Sequence, residues 1–93
     1  MISEATARKV REIVEAQLAG SRVTDVRVSD DIDHDGDPIM RIEIVFEIED
    51  GKLDPKKVVG LARHLREPLA EMNENRFPVF SFRSAEEARG EAA

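Results

Sequence analysis

The sequence predicts an α+β fold: a single two-layer sandwich in α-β-β-α-β order, with two helices packed on one face of a three-stranded sheet. Two segments place apolar residues at the three- and four-residue spacing of an amphipathic helix, and three others alternate with the two-residue period of a strand. A chain of 93 residues has room for one such core and for little else. We therefore assign residues 1–84 to one domain, and residues 85–93, which lack any large apolar side chain, to a frayed or weakly helical tail.

The first helix is predicted over residues 3–19. Ser3 is a favourable N-cap residue, and Gly20 suits the left-handed conformation that ends many helices. Large apolar side chains recur on one face of this segment, and charged residues cover the opposite face. The helix is therefore expected to pack against the sheet through a single apolar stripe.

Two strands follow, over residues 22–30 and 39–49, and the segment 30–38 is expected to join them as an antiparallel hairpin. In the second of these strands, apolar residues occupy alternate positions from Met40 to Ile48, and most intervening positions are charged. This alternation is typical of a strand with one face in the core and the other in solvent.

The second helix begins at a strong signal, with Asp54 as N-cap and Pro55 at the first helical position. Its apolar stripe stays in phase through Pro68, although proline removes one helix hydrogen bond. We therefore predict one helix kinked near residues 66–68, or two collinear helices that meet there. The third strand is predicted over residues 77–83, and the pattern leaves open whether it lies beside the first strand or the second.

The predicted core draws on every one of these elements. It consists of the large apolar residues that share the inward face of each helix and strand. They are Val10, Ile13, Val14, Leu18, Val26, Val28, Ile42, Ile44, Phe46, Ile48, Val58, Leu61, Leu65, Leu69, Met72, Phe80 and Phe82. Together they predict one continuous apolar layer between the helices and the sheet.

The charge of the chain is unevenly distributed. The net charge is −6 overall, but residues 25–54 hold eleven acidic residues against three basic ones, so this segment alone carries −8. An acidic chain whose four aromatic residues are all Phe is a poor candidate for nucleic-acid binding. The hairpin is therefore the acidic part of the molecule, and the remainder is slightly basic.

Composition also bears on the compartment. The chain has no cysteine, which excludes disulfides, thiolate metal sites and Cys nucleophiles. No run of about 18 apolar residues is present to span a membrane, and the first residues do not resemble a secretory signal. We therefore expect a cytoplasmic protein, and the ten Arg against four Lys favour a bacterial source with a genome rich in G and C.

One apolar spot is predicted on the solvent face of the sheet. Phe77 and Val79 share that face of the third strand, and Val45 interrupts the charged positions of the second. Such a patch is typical of an interaction surface, so we expect a partner protein or a second copy of the chain to bind there. The charged neighbours expected to take part are Arg41, Glu43 and Glu47. The alternative is a small apolar island, or one that the C-terminal tail covers.

The hairpin segment contains a run of aspartates. Asp31, Asp33, Asp35 and Gly36 reproduce the D-x-D-x-D-G opening of an EF-hand calcium loop, and Asp37 follows. The segment departs from an EF-hand at the twelfth position, where a bidentate Glu is replaced by an isoleucine, and its flanks are strands. A divalent-cation site formed by the four aspartates is one hypothesis. The other is a solvated turn whose Asp and Gly residues serve its geometry.

The second predicted helix carries basic residues on its solvent side, namely Lys56, Lys57, Arg63 and Arg66. With the α-β-β-α-β order and a kinked second helix, the chain resembles the type II KH topology of some ribosome-associated RNA-binding proteins. This resemblance implies an RNA-binding module that uses the basic helix face. It covers topology alone, because the G-x-x-G backbone clamp is missing from the sequence.

Catalytic motifs are also missing from the sequence. It contains no H-E-x-x-H, G-x-x-x-x-G-K or G-x-G-x-x-G pattern, and none of its serines lies in a nucleophile-elbow context. We therefore predict no catalytic residue and no cofactor. The function predicted is that of a small non-enzymatic accessory or regulatory protein that acts by binding another macromolecule.

Overall fold

The helices of the protein pack on a three-stranded mixed sheet. The structure is a computed structural model that describes residues 2–18, 22–47 and 55–87. The elements are α1 (Glu4–Gln17), β1 (Arg22–Ile32), β2 (Pro38–Glu47), α2 (Pro55–Glu71) and β3 (Phe77–Ser84), and a third helix begins at residue 85. The α-β-β-α-β order and the three-stranded sheet confirm the predicted fold class.

α1 begins where the capping rule predicts. Ser3 has an extended backbone, and its hydroxyl accepts the N–H of Thr6 at 3.1 Å. Val10, Val14 and Leu18 are fully buried along the inward face of this helix and its last turn. α1 is therefore fixed at its start by one cap and along its length by one apolar stripe.

The strand order of the sheet is β1-β2-β3, with β1 antiparallel and β3 parallel to the central β2. Met40, Ile42 and Ile44 of β2 are fully buried in the core shared with the helices. Ile39 and Val45 lie on the opposite face of β2 and are only 5% and 3% exposed. A strand that buries apolar residues on both faces suits the centre of a sheet. The sequence pattern leaves open whether β3 lies beside β1 or β2, and the structure places it beside β2.

The expected exposure of Val45 is therefore wrong. In the strand register Val45 lies between Asp25 of β1 and Arg83 of β3. The Thr24 hydroxyl donates a hydrogen bond to the Val45 carbonyl at 3.3 Å, at the point where the β1 register shifts. A valine in a central strand is flanked on both sides, whereas the sequence pattern treats it as part of an open face.

The hairpin loop spans residues 33–37. The Asp33 N–H donates to the Asp37 carbonyl and the Gly36 N–H donates to the Asp33 carbonyl, both at 3.0 Å. Gly36 has a φ of +84°, which glycine adopts without steric cost. The loop is shorter than the predicted connection because strand pairing continues to Ile32 and Pro38.

α2 is a single helix that continues through Pro68 to its last residue. It ends where Asn73 adopts a φ of +57°, a left-handed conformation that Asn tolerates. The Glu74 N–H then donates to the Leu69 carbonyl at 2.9 Å, which closes the final turn. α2 has 17 residues, and none of the helices in the described ranges is long and apolar enough to cross a membrane.

The core agrees with the prediction at most positions. The predicted residues in the buried cluster are Val10, Val14, Leu18, Val26, Ile42, Ile44, Leu61, Leu65 and Leu69. Those that are half-buried are Ile13, Phe46, Val28, Val58, Met72, Phe80 and Phe82. Met40 is an addition to the predicted core, because it is fully buried on the same face of β2 as Ile42 and Ile44.

Some predictions fall outside the described residues. They are the helix stop at Gly20, the core residue Ile48, the N-cap Asp54 and residues 88–93 of the tail. The described part of the tail is a helical turn over residues 85–87, in which the Ser84 hydroxyl accepts the N–H of Glu87 at 3.1 Å.

Candidate interaction surface

Two of the three large apolar side chains that are exposed in the described residues lie at one end of the sheet. Ile32 ends β1 with 63% exposure, and Phe77 begins β3 with 71% exposure. In the register Ile32 pairs with Pro38, and the next residue, Ile39, pairs with Phe77. Because adjacent strands are about 4.8 Å apart, the backbones of Ile32 and Phe77 are about 10 Å apart across the sheet. Their register positions are on opposite faces, because Pro38 is in phase with the core residue Met40 and Ile39 is not. We name Ile32, Pro38 and Phe77 the sheet-end patch.

The predicted apolar spot is thus partly present. Phe77 is exposed as predicted, Val79 is half-buried, and Val45 is buried. Sequence reasoning missed Ile32 and Pro38, which the hairpin register brings to the same end of the sheet as Phe77. The sequence signal for this patch was Ile32, a large apolar residue between Asp31 and Asp33. A solvated turn does not require an apolar side chain at that position.

A groove of about 500 Å³ lies between α2 and the start of β3. The apolar residues that line it are Ala62, Leu69, Ala70, Phe77 and Pro78. We name it the α2–β3 groove. Phe77 belongs to both features, and concave apolar surfaces of this kind accommodate the anchoring side chains of ligands and partners.

A tight turn fixes the position of Phe77 in this groove. The Glu74 carboxylate accepts the backbone N–H of Arg76 at 3.1 Å. The Arg76 guanidinium donates to both oxygens of the same carboxylate, at 3.2 and 3.1 Å. The side chains of Glu74 and Arg76 are only 11% and 28% exposed, so this pair is better shielded than the ion pairs of the sheet. The turn therefore presents Phe77 from a preorganised segment.

The hairpin loop places three carboxylates beside the sheet-end patch. Ligand oxygens of Asp33, Asp35 and Asp37 lie within 4.8 Å of one another. One oxygen of Asp33 already accepts the backbone N–H groups of Asp35 and Asp37, at 3.0 and 2.9 Å. These bonds give the aspartate spacing a role in turn geometry, and binding of a divalent cation stays a prediction. We name residues 33–37 the acidic loop.

Asp31, the fourth predicted cation ligand, does not belong to this cluster. The Arg41 side chain donates to its carboxylate, and the Ile32 N–H donates to it at 2.8 Å. Arg41 and then the Ile32 N–H hold the pKa of Asp31 below its usual range. The structure therefore assigns Asp31 to strand pairing.

The sheet face opposite the helices carries ion pairs within the chain. Arg27 contacts Asp25 at 2.9 Å and Glu43 at 3.5 Å, and Arg83 approaches the same Glu43 carboxylate at 3.7 Å. Glu47 pairs with Arg22 at 3.5 Å, and Arg41 pairs with Asp31. The three predicted rim residues, Arg41, Glu43 and Glu47, are thus engaged between strands. Their contact with a partner stays a prediction.

The basic side of α2 is solvent-exposed at Lys56, Arg63 and Arg66, while the side chain of Lys57 lies outside the described residues. α2 is continuous at Gly60, where an added Cβ would meet His64 at an ordinary 3.6 Å. A KH domain clamps the RNA backbone with a G-x-x-G loop, and the described residues contain no such loop. RNA binding by this face stays a prediction, without a backbone clamp to support it.

No protein-family model, curated protein or solved structure matches this chain.

Proposed function

We propose that this chain is a small, non-enzymatic accessory or regulatory protein that binds a partner protein through the sheet-end patch and the α2–β3 groove. The observation that carries the proposal is the position of Phe77. It is 71% exposed, it lines the groove, and it shares one end of the sheet with the exposed Ile32. We further propose that the protein is bacterial and cytoplasmic, which the composition supports.

Burial energetics support this surface over the charged sheet face. Fully burying a Phe side chain contributes about 1.5–3 kcal/mol, and aromatic residues in concave sites are frequent binding hot spots. The ion pairs of the sheet face are solvent-exposed, and pairs of this kind contribute about 0–1 kcal/mol. A partner gains most by covering Phe77 and Ile32, and it would have to displace intramolecular pairs to use Glu43 or Glu47.

Preorganisation supports the same surface. The Glu74–Arg76 pair and the left-handed Asn73 fix the turn that precedes Phe77. Binding therefore costs little conformational entropy on this side of the interface.

The proposal predicts that Phe77→Ser removes a specific partner from affinity captures of the tagged chain. Captures from the source organism with the wild-type chain, Phe77→Ser and Ile32→Ser are compared by quantitative proteomics. We expect a protein retained by the wild type to be depleted about tenfold or more by Phe77→Ser, since a hot-spot residue contributes about 2 kcal/mol.

Val59→Ser is the matched control, because Val59 is 78% exposed on α2 and lies outside the groove. We expect this variant to retain the partner. Thermal unfolding of all variants checks that the fold is intact. Equal recovery of every retained protein by the wild type and by Phe77→Ser would contradict the proposed function.

A further inference from the structure

We infer that the α2–β3 groove receives a cationic protein segment, with an aliphatic or aromatic anchor in the groove and Lys or Arg side chains over the acidic loop. The inference rests on the proposed function and specifies the chemistry of its partner. The apolar lining of the groove suits an apolar anchor. The charge beside the groove then determines which kind of segment supplies that anchor.

The acidic loop supplies the charge complementarity. Asp33, Asp35 and Asp37 make no ion pair within the described residues, although their carboxylate oxygens lie within 4.8 Å of one another. Carboxylates this close repel one another, and a cation placed over them relieves that repulsion. A segment that presents Lys or Arg is therefore favoured over a neutral or acidic one.

The strand register sets the spacing within that segment. The acidic loop joins β1 to β2, and Phe77 begins β3 beside Ile39 of β2. Asp37 precedes Ile39 by two residues and Asp33 follows β1, one strand further away, so the loop is about 8–12 Å from the start of β3. Extended chain advances about 3.3 Å per residue. The cations consequently lie about two to four residues from the anchor, a distance that long Lys or Arg side chains cover.

The helix side of the groove sets the orientation of the segment. Arg66 of α2 lines the groove and has no ion-pair partner among the described residues. It repels cations, whereas the acidic loop at the sheet end attracts them. The segment therefore lies with its cationic end towards the loop and away from α2.

A synthetic peptide with a Trp anchor and two Arg residues three positions further along is the probe. The chain contains no Trp or Tyr, so the emission of the peptide Trp reports binding directly. We expect saturable binding that Phe77→Ser weakens about tenfold or more. The pair Asp35→Asn and Asp37→Asn is expected to weaken binding about fivefold at low salt, with the difference shrinking at 1 M salt as screening shortens to about 3 Å. Asp33 is left intact because it accepts the backbone bonds of the loop.

Two matched controls accompany the titration. Val59→Ser is expected to bind the probe as the wild type does, and a peptide with Glu in place of Arg is expected to bind at least tenfold more weakly. Equal binding of the Arg and Glu peptides, or an unchanged affinity of Phe77→Ser, would overturn the inference. If the captured partner still depends on Phe77 in that case, the proposed function stands. Concentration-dependent dimerisation in sedimentation velocity, abolished by Phe77→Ser, would also overturn it, because the occupant would then be a second copy.

Discussion

Val45→Asp is expected to unfold the protein or to lower its free energy of unfolding by about 4 kcal/mol or more. Val45 is 3% exposed in the central strand, so the new carboxylate would be buried between its register neighbours Asp25 and Arg83. Arg83 already approaches Glu43 at 3.7 Å, so the new carboxylate would have to share that partner. Domains of this size are stable by only about 5–15 kcal/mol. Urea denaturation followed by far-ultraviolet circular dichroism measures the loss.

The same substitution at an exposed valine provides the control. Val59 is 78% exposed on α2, so Val59→Asp is expected to change stability by less than about 1 kcal/mol. If Val45→Asp shifted the urea midpoint no more than Val59→Asp does, the second face of β2 would be open. Val45 would then belong to the candidate interaction surface, as the sequence pattern predicts.

Leu65→Ala is expected to lower the free energy of unfolding by about 2–5 kcal/mol. Leu65 is fully buried in the cluster that joins α2 to the sheet. Truncation removes its transfer free energy and leaves a cavity that close-packed neighbours fill only in part. Urea denaturation measures the effect, with Val59→Ala as the exposed control on the same helix. A loss below about 1 kcal/mol would show that α2 does not pack on the sheet as described.

The helices were the most predictable part of the fold. Their apolar positions repeat along one face. The N-cap at Ser3 and the continuation of α2 through Pro68 each depend on only a few neighbouring residues. Periodicity and capping are local properties, so a single sequence contains enough information for them. The buried Val10 and Leu65 follow directly from that pattern.

Strand order could not be predicted in the same way. It depends on which strand buries both faces, and that depends on contacts between elements distant in the chain. Ile39 and Val45 were the relevant residues, since both lie on the polar face of β2 and both are buried. Because Val45 is a single apolar residue among charged ones, the sequence pattern predicts that it is exposed. Its burial becomes evident only once β3 is placed beside β2.

The candidate surface was predictable at one residue. Phe77 departs from the polar pattern of its strand face, which made its exposure a sequence-level expectation that the structure confirms. The groove depends on the turn after α2, where Asn73 and the Glu74–Arg76 pair set the direction of β3. Ile32 joins the patch through register pairing with Pro38. Neither arrangement is encoded in local periodicity.

Charge was predictable in amount and not in pairing. The hairpin is acidic, yet Arg27 pairs with Glu43 and Arg41 pairs with Asp31 across the strands. Those pairs depend on register, which the alternation of residues does not specify. The carboxylates of the acidic loop are left available beside the sheet-end patch. The surface that a cationic partner would bind most favourably is therefore limited to this end of the sheet.

Hydrogen–deuterium exchange of the chain bound to its captured partner tests most directly whether the sheet end is the binding surface. We expect slower amide exchange over residues 32–39 and 73–79 in the complex. Exchange over residues 4–17 of α1, none of which lines the groove, should be unchanged. Protection confined to α1, or to β1 and β2 around Arg27 and Glu43, would contradict this assignment.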